Sequence, residues 1–265
     1  MREPYRISVV SYLNSKPYVA ALSAEGIREH IVVSGDIPAL CAQKLRDGLA
    51  DAGLVPAAIL PALNAPHLIC DFGIAADGVV DSVIVVSNDP LTEIKRIFLD
   101  KESRTSVALT RILAEEWWQI QPEWIPEKTE QNLLDLSKGD AAVIIGDRAL
   151  RHRHQFTYVF DLAGEWKQMT GLPFVFAVWA GNGTPDEGCS RLLEKAFIGL
   201  ENIPAQLIRD LQREYPYVDV EQYLIHRIKY RLGGNEKAGL ELFLEKNKKY
   251  GSYNTKNGSG ILAVI

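Results

Sequence analysis

Small hydrogen-bonding side chains follow the first apolar run of the chain, in the stretch VVSYLNSKPY at residues 9–18. Ser11, Asn14 and Ser15 come soon after two valines, and Pro17 opens the next segment. One interpretation is a strand-to-helix turn, with Asn14 or Ser15 as N-cap and Pro17 in the first helical turn. The other is that a small molecule binds where the strand ends.

Three further junctions between a predicted strand and a predicted helix have the same character. In DAGLVPAAIL, Val55 precedes a proline suited to the first helical position, and in AAVIIGDRAL the turn is formed by Gly146 and Asp147. The remaining junction is DKESRTSVALTRIL. In open α/β sheets, ligands bind beyond the carboxyl ends of the strands, where the helix N-termini favour an anion. The four junctions are therefore candidate anion-binding loops.

The junction at Arg104 carries the strongest binding signal. Arg104, Thr105 and Ser106 offer a guanidinium fork, hydroxyl donors and the N–H groups of a helix start, which suit a carboxylate or a phosphate. The alternative is that Thr105 or Ser106 is an ordinary N-cap and that Arg104 is solvated. Asp147 has a similar ambiguity, because an Asp after a strand and a glycine is usually an N-cap. Ser82, which opens the run SVIVVS, is by itself only a strand hydroxyl.

Motifs for cofactor and metal chemistry are missing from the sequence. It contains no Gly-x-Gly-x-x-Gly, Walker loop, Gly-x-Ser-x-Gly or His-Glu-x-x-His. His152 and His154 stand in the stretch RHRH, where two neighbouring arginines favour a solvated cationic turn over a metal site. We therefore expect no metal and no organic cofactor.

Composition excludes several classes of protein. The net charge of −5 and the absence of a basic stripe interleaved with aromatic residues argue against a nucleic-acid partner. The three cysteines, Cys41, Cys70 and Cys189, stand singly, which favours a reducing compartment. The first apolar run is shorter than the ~7–15 residues of a secretory signal, and no run approaches the ~20 residues of a membrane span. We expect a cytoplasmic protein without membrane association.

Predicted strands and helices alternate over the first two thirds of the chain. The runs RISVV, HIVVS, DAGLV, SVIVV, RIFL, AAVII and FVFAVWA are typical of buried strands, and segments such as IPALCAQKLRDGL, TSVALTRILAEEWW and TEQNLLDLSKG have helical spacing. This alternation predicts an α/β protein with a largely parallel sheet covered on both faces. After about Gly183, the segments CSRLLEKAFIGLENI, IPAQLIRDLQREY, VEQYLIHRIKYRL and EKAGLELFLEKNKKY predict an all-helical end.

Two strands, SVIVVSND and FVFAVWAG, are predicted to be hinges between two lobes. Residues 1–87 and 180–250 would form lobe 1, with the C-terminal helices, and residues 88–179 would form lobe 2. Residues 251–265, rich in Gly, Ser and Asn before a short apolar end, are expected to be a disordered or artificial tail. The turn before the second hinge contains Gly171, which we include among the candidate binding residues.

The motifs VSYLNSKP, GLVPAA, DKESRTSVALTRIL, AAVIIGDRAL and EWKQMTGLPFVFAVW, in this order, resemble the chorismate dehydratase family of the futalosine route to menaquinone (the MqnA family). The resemblance extends from about residue 6 to about residue 245. It implies a two-lobed fold like the type II periplasmic binding proteins, with a ligand cleft between the lobes. It also implies a hydro-lyase that removes water from chorismate to leave 3-[(1-carboxyvinyl)oxy]benzoate. The sister family of the pathway carries a Cys-Pro-Asn motif in the first loop, which SYLNSKP does not match.

By this resemblance, Asn14 and Ser82 match positions placed against the substrate, and we take them as the catalytic candidates. The loop Arg104–Ser106 matches the carboxylate-binding loop, and Ser11, Val55, Gly146, Asp147 and Gly171 complete the candidate binding residues. The general base stays open between Asp147 and the enolpyruvyl carboxylate of the substrate. The competing hypothesis is a non-catalytic solute-binding protein of the same fold for a small carboxylate.

Overall fold

Two mixed β-sheets form the framework of the protein in a computed structural model that describes residues 3–100, 103–126 and 135–251. In chain order the strands are β1 (Tyr5–Val10), β2 (Ile31–Asp36), β3 (Ala52–Pro56), β4 (Pro66–Ala76), β5 (Val83–Ser87), β6 (Arg96–Leu99), β7 (Glu123–Pro126), β8 (Asp140–Ile145), β9 (Tyr158–Asp161), β10 (Phe174–Asn182) and β11 (Lys229–Arg231). Sheet 1 has the strand order β11-β4-β10-β3-β1-β2, and sheet 2 has the order β7-β6-β8-β5-β9.

Helices connect and cover these strands. The α-helices are α1 (Lys16–Leu22), α2 (Pro38–Arg46), α3 (Arg104–Glu116), α4 (Gly146–His152), α5 (Leu162–Thr170), α6 (Glu187–Phe197), α7 (Ala205–Glu214) and α8 (Gly234–Gly251). Short 3-10 helices span Leu13–Ser15, Arg28–His30, Ala57–Ala62, Leu91–Glu93 and Arg153–Gln155, and a π-helical turn spans Gln222–Arg227. In the part of the chain that the structure describes, every helix is too short or too polar to traverse a bilayer.

The expectation of a largely parallel sheet is wrong. β1 is parallel to β2 and β3, and β6 is parallel to β7 and β8. In contrast, β10 runs antiparallel to β3 and β4, and β5 runs antiparallel to β8 and β9. The chain passes from sheet 1 to sheet 2 and back, and the first strand after each passage, β5 or β10, runs against its neighbours.

The two predicted hinge strands do not run between the sheets. Every pairing of β5 lies in sheet 2, and every pairing of β10 lies in sheet 1. The chain therefore crosses at 77–82 and at 171–173, earlier in each case than the expected limits at 87/88 and 179/180. We propose that the lobe boundaries follow the sheets, so that lobe 1 holds sheet 1 and lobe 2 holds sheet 2.

The C-terminal part is not entirely helical. Within the predicted helix VEQYLIHRIKYRL, the structure has the π-helical turn and then β11, which extends the edge of sheet 1 by pairing with β4. In β11 the exposed Lys229 and Arg231 flank the buried Tyr230, as the two-residue period of a strand requires. The predicted helix TEQNLLDLSKG falls largely on residues 127–134, outside the described residues, as does nearly all of the predicted tail at 251–265.

Aromatic side chains hold helices from both ends of the chain against β10. Tyr18 of α1 and Phe197 of α6 have ring centroids 4.7 Å apart, and Phe197 lies 4.9 Å from Trp179 of β10. On another part of the strand, Phe174 contacts Phe243 of α8 at 5.0 Å. Such pairs contribute about 0.5–1.5 kcal/mol each beyond their buried area. β10 is therefore the strand on which the N-terminal and C-terminal segments of lobe 1 meet.

Candidate active site

A cleft of about 610 Å³ lies between the two sheets, where the ends of β1, β3 and β8 meet the helices that follow them. Its apolar walls are formed by Val10, Pro56, Ile74 and Phe176 on the side of sheet 1 and by Val83 and Ile145 on the side of sheet 2. Its polar lining consists of Tyr12, Asn14, Ser82, Ser103, Thr105 and Ser106. Among the described residues, those that line the cleft carry no charged side chain.

The N-termini of helices point toward this cleft from several sides. Ser103, the N-cap of α3, and Gly146, the first residue of α4, both line it, as does Pro38 in the first turn of α2. The unpaired N–H groups and the dipole of a helix start favour negative charge. α3 is the longest of the three helices, and its start also carries hydroxyl groups. The cleft is thus suited to a small anion that also has apolar surface.

Hydrogen bonds at the start of α3 assign separate roles to its hydroxyl groups. The Ser103 side chain caps the helix by accepting from the N–H of Ser106 at 3.1 Å, so the N-cap is Ser103 and neither Thr105 nor Ser106. The Ser103 hydroxyl also donates to Ser106 Oγ at 2.7 Å. Because Ser106 Oγ accepts there, its own proton is available to a molecule in the cleft. Thr105 Oγ1 accepts from the N–H of Ala58 at 3.2 Å, which joins α3 to lobe 1.

Arg104 starts α3 but is not among the residues that line the cleft. Its side chain is partly buried, and burial together with the nearby Arg46 guanidinium lowers the pKa of Arg104. The positive charge of Arg104 at the start of α3 adds to the positive end of the helix dipole. Binding of the ligand carboxylate by the Arg104 guanidinium stays a prediction.

Asn14 and Ser82, the two catalytic candidates, line the same cleft although 68 positions separate them in the sequence. Asn14 lies in the 3-10 helix after β1, and its backbone carbonyl accepts from the hydroxyl of Tyr230 at 3.1 Å. The side-chain oxygen of Asn14 is buried and has no hydrogen-bond partner among the described residues. A buried amide oxygen without a partner is costly, so this atom is suited to receive a donor from a ligand.

Tyr223 contacts Ser82, although the sequence analysis did not identify Tyr223 as a candidate site residue. Its hydroxyl donates to Ser82 Oγ at 2.9 Å, and its ring is buried in lobe 1. Burial is the main cause that raises the pKa of Tyr223. No sequence pattern indicated this contact, because Tyr223 lies in the π-helical turn, within a segment that has the spacing of an ordinary amphipathic helix.

Asp147 lies in the first turn of α4, beside the cleft and outside its lining. It is not the N-cap of that helix, because Ile145 holds the N-cap position. The Asp147 carboxylate instead accepts from the backbone N–H of Leu13 at 3.1 Å. Burial raises the pKa of Asp147, whereas that hydrogen bond and the charges of Lys16 and Arg151 lower it.

Gly146 is required by its conformation and by a close contact. Its φ of +60° lies in the left-handed region, and a Cβ at this position would lie 3.0 Å from ring atoms of Tyr12. The ring of Tyr12 therefore packs directly on the backbone of α4. Together with the bond from Leu13 to Asp147, this contact joins the loop after β1 to lobe 2.

Besides Arg104 and Asp147, three further predicted binding residues lie outside the cleft lining. Ser11 is exposed, with its hydroxyl beside Gly35, and Val55 is a fully buried core residue that pairs with Val178 of β10. Gly171 is an exposed C-cap of α5 with a φ of +75° and open space around it. The left-handed conformation of this helix cap explains why glycine occupies the position. In the described residues, no group of three His, Cys, Asp or Glu side chains is arranged to hold a metal ion.

Comparisons with known proteins support the family resemblance that the sequence motifs indicate. A family model described as menaquinone biosynthesis matches residues 5–249. The chorismate dehydratase of Thermus thermophilus is 30% identical over 263 residues, which covers 91% of this chain and 94% of the relative. The match to the family model therefore extends over both lobes and includes every residue that lines the cleft.

Solved structures with similar folds include a protein from Archaeoglobus fulgidus, with a TM-score of 0.73 and 13% identity over 94% of this chain and 98% of that one. A Candida albicans protein with the generic periplasmic binding protein fold has a TM-score of 0.61 and 9% identity, covering 99% of this chain and 94% of that chain. At such low identity the likeness shows the fold alone. The predicted two-lobed fold of the type II periplasmic-binding-protein kind is confirmed.

Proposed function

This chain belongs to the menaquinone biosynthesis family, and from that membership we propose that it is a chorismate dehydratase. The enzyme, a carbon–oxygen lyase, removes water from chorismate and releases 3-[(1-carboxyvinyl)oxy]benzoate. The observation that carries the proposal is the match to a chorismate dehydratase along nearly the whole chain. The geometry of the cleft supports it, because the polar and apolar surfaces fit the chemistry of this substrate.

Chorismate is a small dianion with two carboxylates, one hydroxyl group, an enol ether and no phosphate. The start of α3 receives one carboxylate through backbone N–H groups and the Ser106 hydroxyl, while Arg104 and Arg46 contribute positive potential. The apolar walls, which include Ile74 and Phe176, cover the faces of the carbon ring.

Elimination joins the loss of the C3 proton to the departure of the C4 hydroxyl group. The enolpyruvyl group of the substrate is attached to the oxygen on C3. Its carboxylate takes this proton when the cleft holds the enolpyruvyl group in an inward-folded conformation. The electron pair of the C3–H bond becomes the third ring double bond as the C4–O bond breaks. The departing hydroxide takes the proton from the carboxylic acid so formed and leaves as water. The product ring is aromatic, which supplies a large driving force.

Asn14 and Ser82 orient the substrate and assist departure of the hydroxyl group. Asn14 Oδ1, which has no partner among the described residues, accepts a hydrogen bond from the C4 hydroxyl and fixes its direction. Ser82 donates to the same oxygen as negative charge develops on it. No metal or organic cofactor enters this reaction.

Incubation of the purified protein with chorismate tests the proposal directly. We expect many product molecules per protein molecule, each lighter than chorismate by one water in chromatography coupled to mass spectrometry. Calorimetry with chorismate distinguishes the competing hypothesis of a solute-binding protein, whose support is the shared fold alone. Chorismate that is bound but returned unchanged, or chorismate that is neither bound nor converted, would contradict the proposal.

A cytoplasmic location is part of the same proposal. The three cysteines are all buried in the structure and stand singly in the sequence, which suits a reducing compartment. Fusion of the full chain to a reporter that is active only in the cytoplasm checks this point, and activity in an exported reporter would contradict it.

A further inference from the structure

The π-helical turn Gln222–Arg227 contacts the crossing segment 77–82 through two of its side chains. Tyr223 donates to Ser82 Oγ at 2.9 Å, and Arg227 Nε lies 2.7 Å from the carboxylate of Asp81. Asp81 also pairs with Arg153 of lobe 2. The π-helical turn thus contacts two adjacent residues of the crossing segment. It binds Ser82 through a hydroxyl group and Asp81 through an ion pair.

The backbone at Asp81 has an unusual conformation that these contacts stabilise. Its φ of +67° is uncommon for a residue other than glycine. The N–H groups of Val80 and Asp81 both donate to the carboxylate of Asp161, at 3.0 and 2.7 Å. The main chain that enters Ser82 is therefore fixed on several sides, so the direction of the Ser82 hydroxyl group depends on the contacts of its own side chain.

A serine hydroxyl group has one proton and two lone pairs, so its donors and acceptors are coupled. Because Tyr223 donates to Ser82 Oγ, one lone pair is occupied and the serine proton must point elsewhere. Ser82 lines the cleft, and its proton can therefore be directed to a ligand there. Tyr223 is buried at 2% exposure, and burial keeps its phenol protonated and hence a constant donor.

We propose that Tyr223 is a positioning residue that directs the Ser82 proton into the cleft, and this inference rests on the proposed dehydratase function. Tyr223 is not among the residues that line the cleft, so it acts through Ser82 and not on the substrate. Without the Tyr223 hydroxyl, Ser82 Oγ loses the hydrogen bond that occupies one of its lone pairs, and the serine proton is no longer directed. The substrate would still bind, but the leaving hydroxyl would lose an aligned donor.

Tyr223→Phe tests this role, since it removes the hydroxyl group and keeps the buried ring. We expect kcat to fall about tenfold, as for loss of one neutral hydrogen bond, with KM changed by no more than about twofold. Tyr18→Phe is the matched control. Tyr18 is also buried, its hydroxyl donates to the Gly73 carbonyl at 2.7 Å, and neither residue lines the cleft. The control should lose stability but keep the parent kcat.

A double-mutant cycle with Ser82→Ala separates a positioning role from a merely structural one. If Tyr223 acts through Ser82, Tyr223→Phe has no further effect on kcat once the serine hydroxyl is gone. All variants are assayed well below the melting temperature of the least stable one, with circular dichroism to confirm folding. Hence a lower stability of Tyr223→Phe does not obscure the comparison.

The outcomes separate this inference from the proposed function. A parent protein that does not dehydrate chorismate overturns both. With an active parent, an unchanged kcat in Tyr223→Phe overturns the positioning role alone. The same is true of an additional tenfold loss in the Ser82→Ala background, or of an equal loss in Tyr18→Phe. A loss confined to kcat, specific to Tyr223 and absent without the Ser82 hydroxyl supports the role.

Discussion

The carboxylate of Asp147 accepts a hydrogen bond from the backbone N–H of Leu13 at 3.1 Å. The two residues belong to different lobes, since Leu13 follows β1 of sheet 1 and Asp147 lies in α4 after β8 of sheet 2. Leu13 directly precedes Asn14, a catalytic candidate. This bond therefore holds the loop with Asn14 against lobe 2, and it gives Asp147 a role other than that of a general base.

Asp147→Asn should keep most of the parent kcat. Asparagine retains an acceptor oxygen for Leu13 but cannot take a proton from C3, so activity survives if the substrate carboxylate is the base. Steady-state kinetics with circular dichroism measures this. A fall in kcat of several orders of magnitude in a folded variant would make Asp147 the base and defeat the substrate-assisted mechanism.

The stability gained by Asp147→Asn should depend on pH. Burial raises the pKa of Asp147 above its unfolded value of about 3.9, so its charged form costs folded-state stability. This cost is absent below the unfolded pKa, where both states are protonated, and appears as the pH rises through the folded pKa. Thermal melts should thus show a higher Tm for the variant at neutral pH, with the difference vanishing near pH ~4. A difference that does not change with pH would contradict this assignment.

Arg104→Ala should weaken chorismate binding by about 10- to 100-fold, the range for a charge-assisted hydrogen bond. Arg104→Lys should restore little of it, because lysine lacks the planar fork. Arg191→Ala is the control, since this arginine is 74% exposed and pairs with Glu187 on α6. Calorimetric affinities for the three variants check the prediction. If Arg104→Ala binds as tightly as Arg191→Ala, Arg104 does not bind the substrate, which would contradict its assignment to the carboxylate-binding loop.

Gly239→Ala should destabilise the fold even though alanine favours helices. A Cβ at this position in α8 would lie 2.1 Å from the carbonyl oxygen of Pro173, in the crossing segment that precedes β10. The clash is with backbone, so we expect a loss of about 1–3 kcal/mol in denaturant unfolding. Gly234→Ala in the same helix meets open space and should stay within about 0.5 kcal/mol of the parent. Equal stabilities for the two variants would contradict the close packing of α8.

Some strands could be predicted because each is an uninterrupted apolar run. β5 and β8 are buried at every position, as predicted from SVIVV and AAVII. β4 could not be predicted in this way, since its eleven residues include Pro66, Asp71 and Gly73. Its strand conformation depends on pairing with β10 on one side and β11 on the other. Both partners are distant in sequence, and local propensity carries no information about them.

Prediction of the candidate site from the sequence is limited in the same way, to residues that a local pattern connects. Asn14, Ser82 and the hydroxyl groups at the start of α3 follow strands or precede helices, where sequence patterns point to ligand-binding loops. Tyr223 is 141 positions from Ser82 and lies in a π-helical turn, so no local pattern connects them. The backbone roles of Gly171 and Val55, as a helix cap and a core residue, were also not separable from binding roles in the sequence alone.

Proton NMR of chorismate, recorded over time with the parent protein and with the variants Asn14→Ala and Ser82→Ala, tests the central claim most directly. We predict that the parent converts an excess of chorismate to the aromatic enol ether. Each variant should lower kcat by about 10²–10³-fold and leave KM near the parent value, because both side chains act mainly on the departing hydroxyl group. Chorismate signals that persist unchanged with the parent, or variants as active as the parent, would contradict the assignment of this cleft as the site of dehydration.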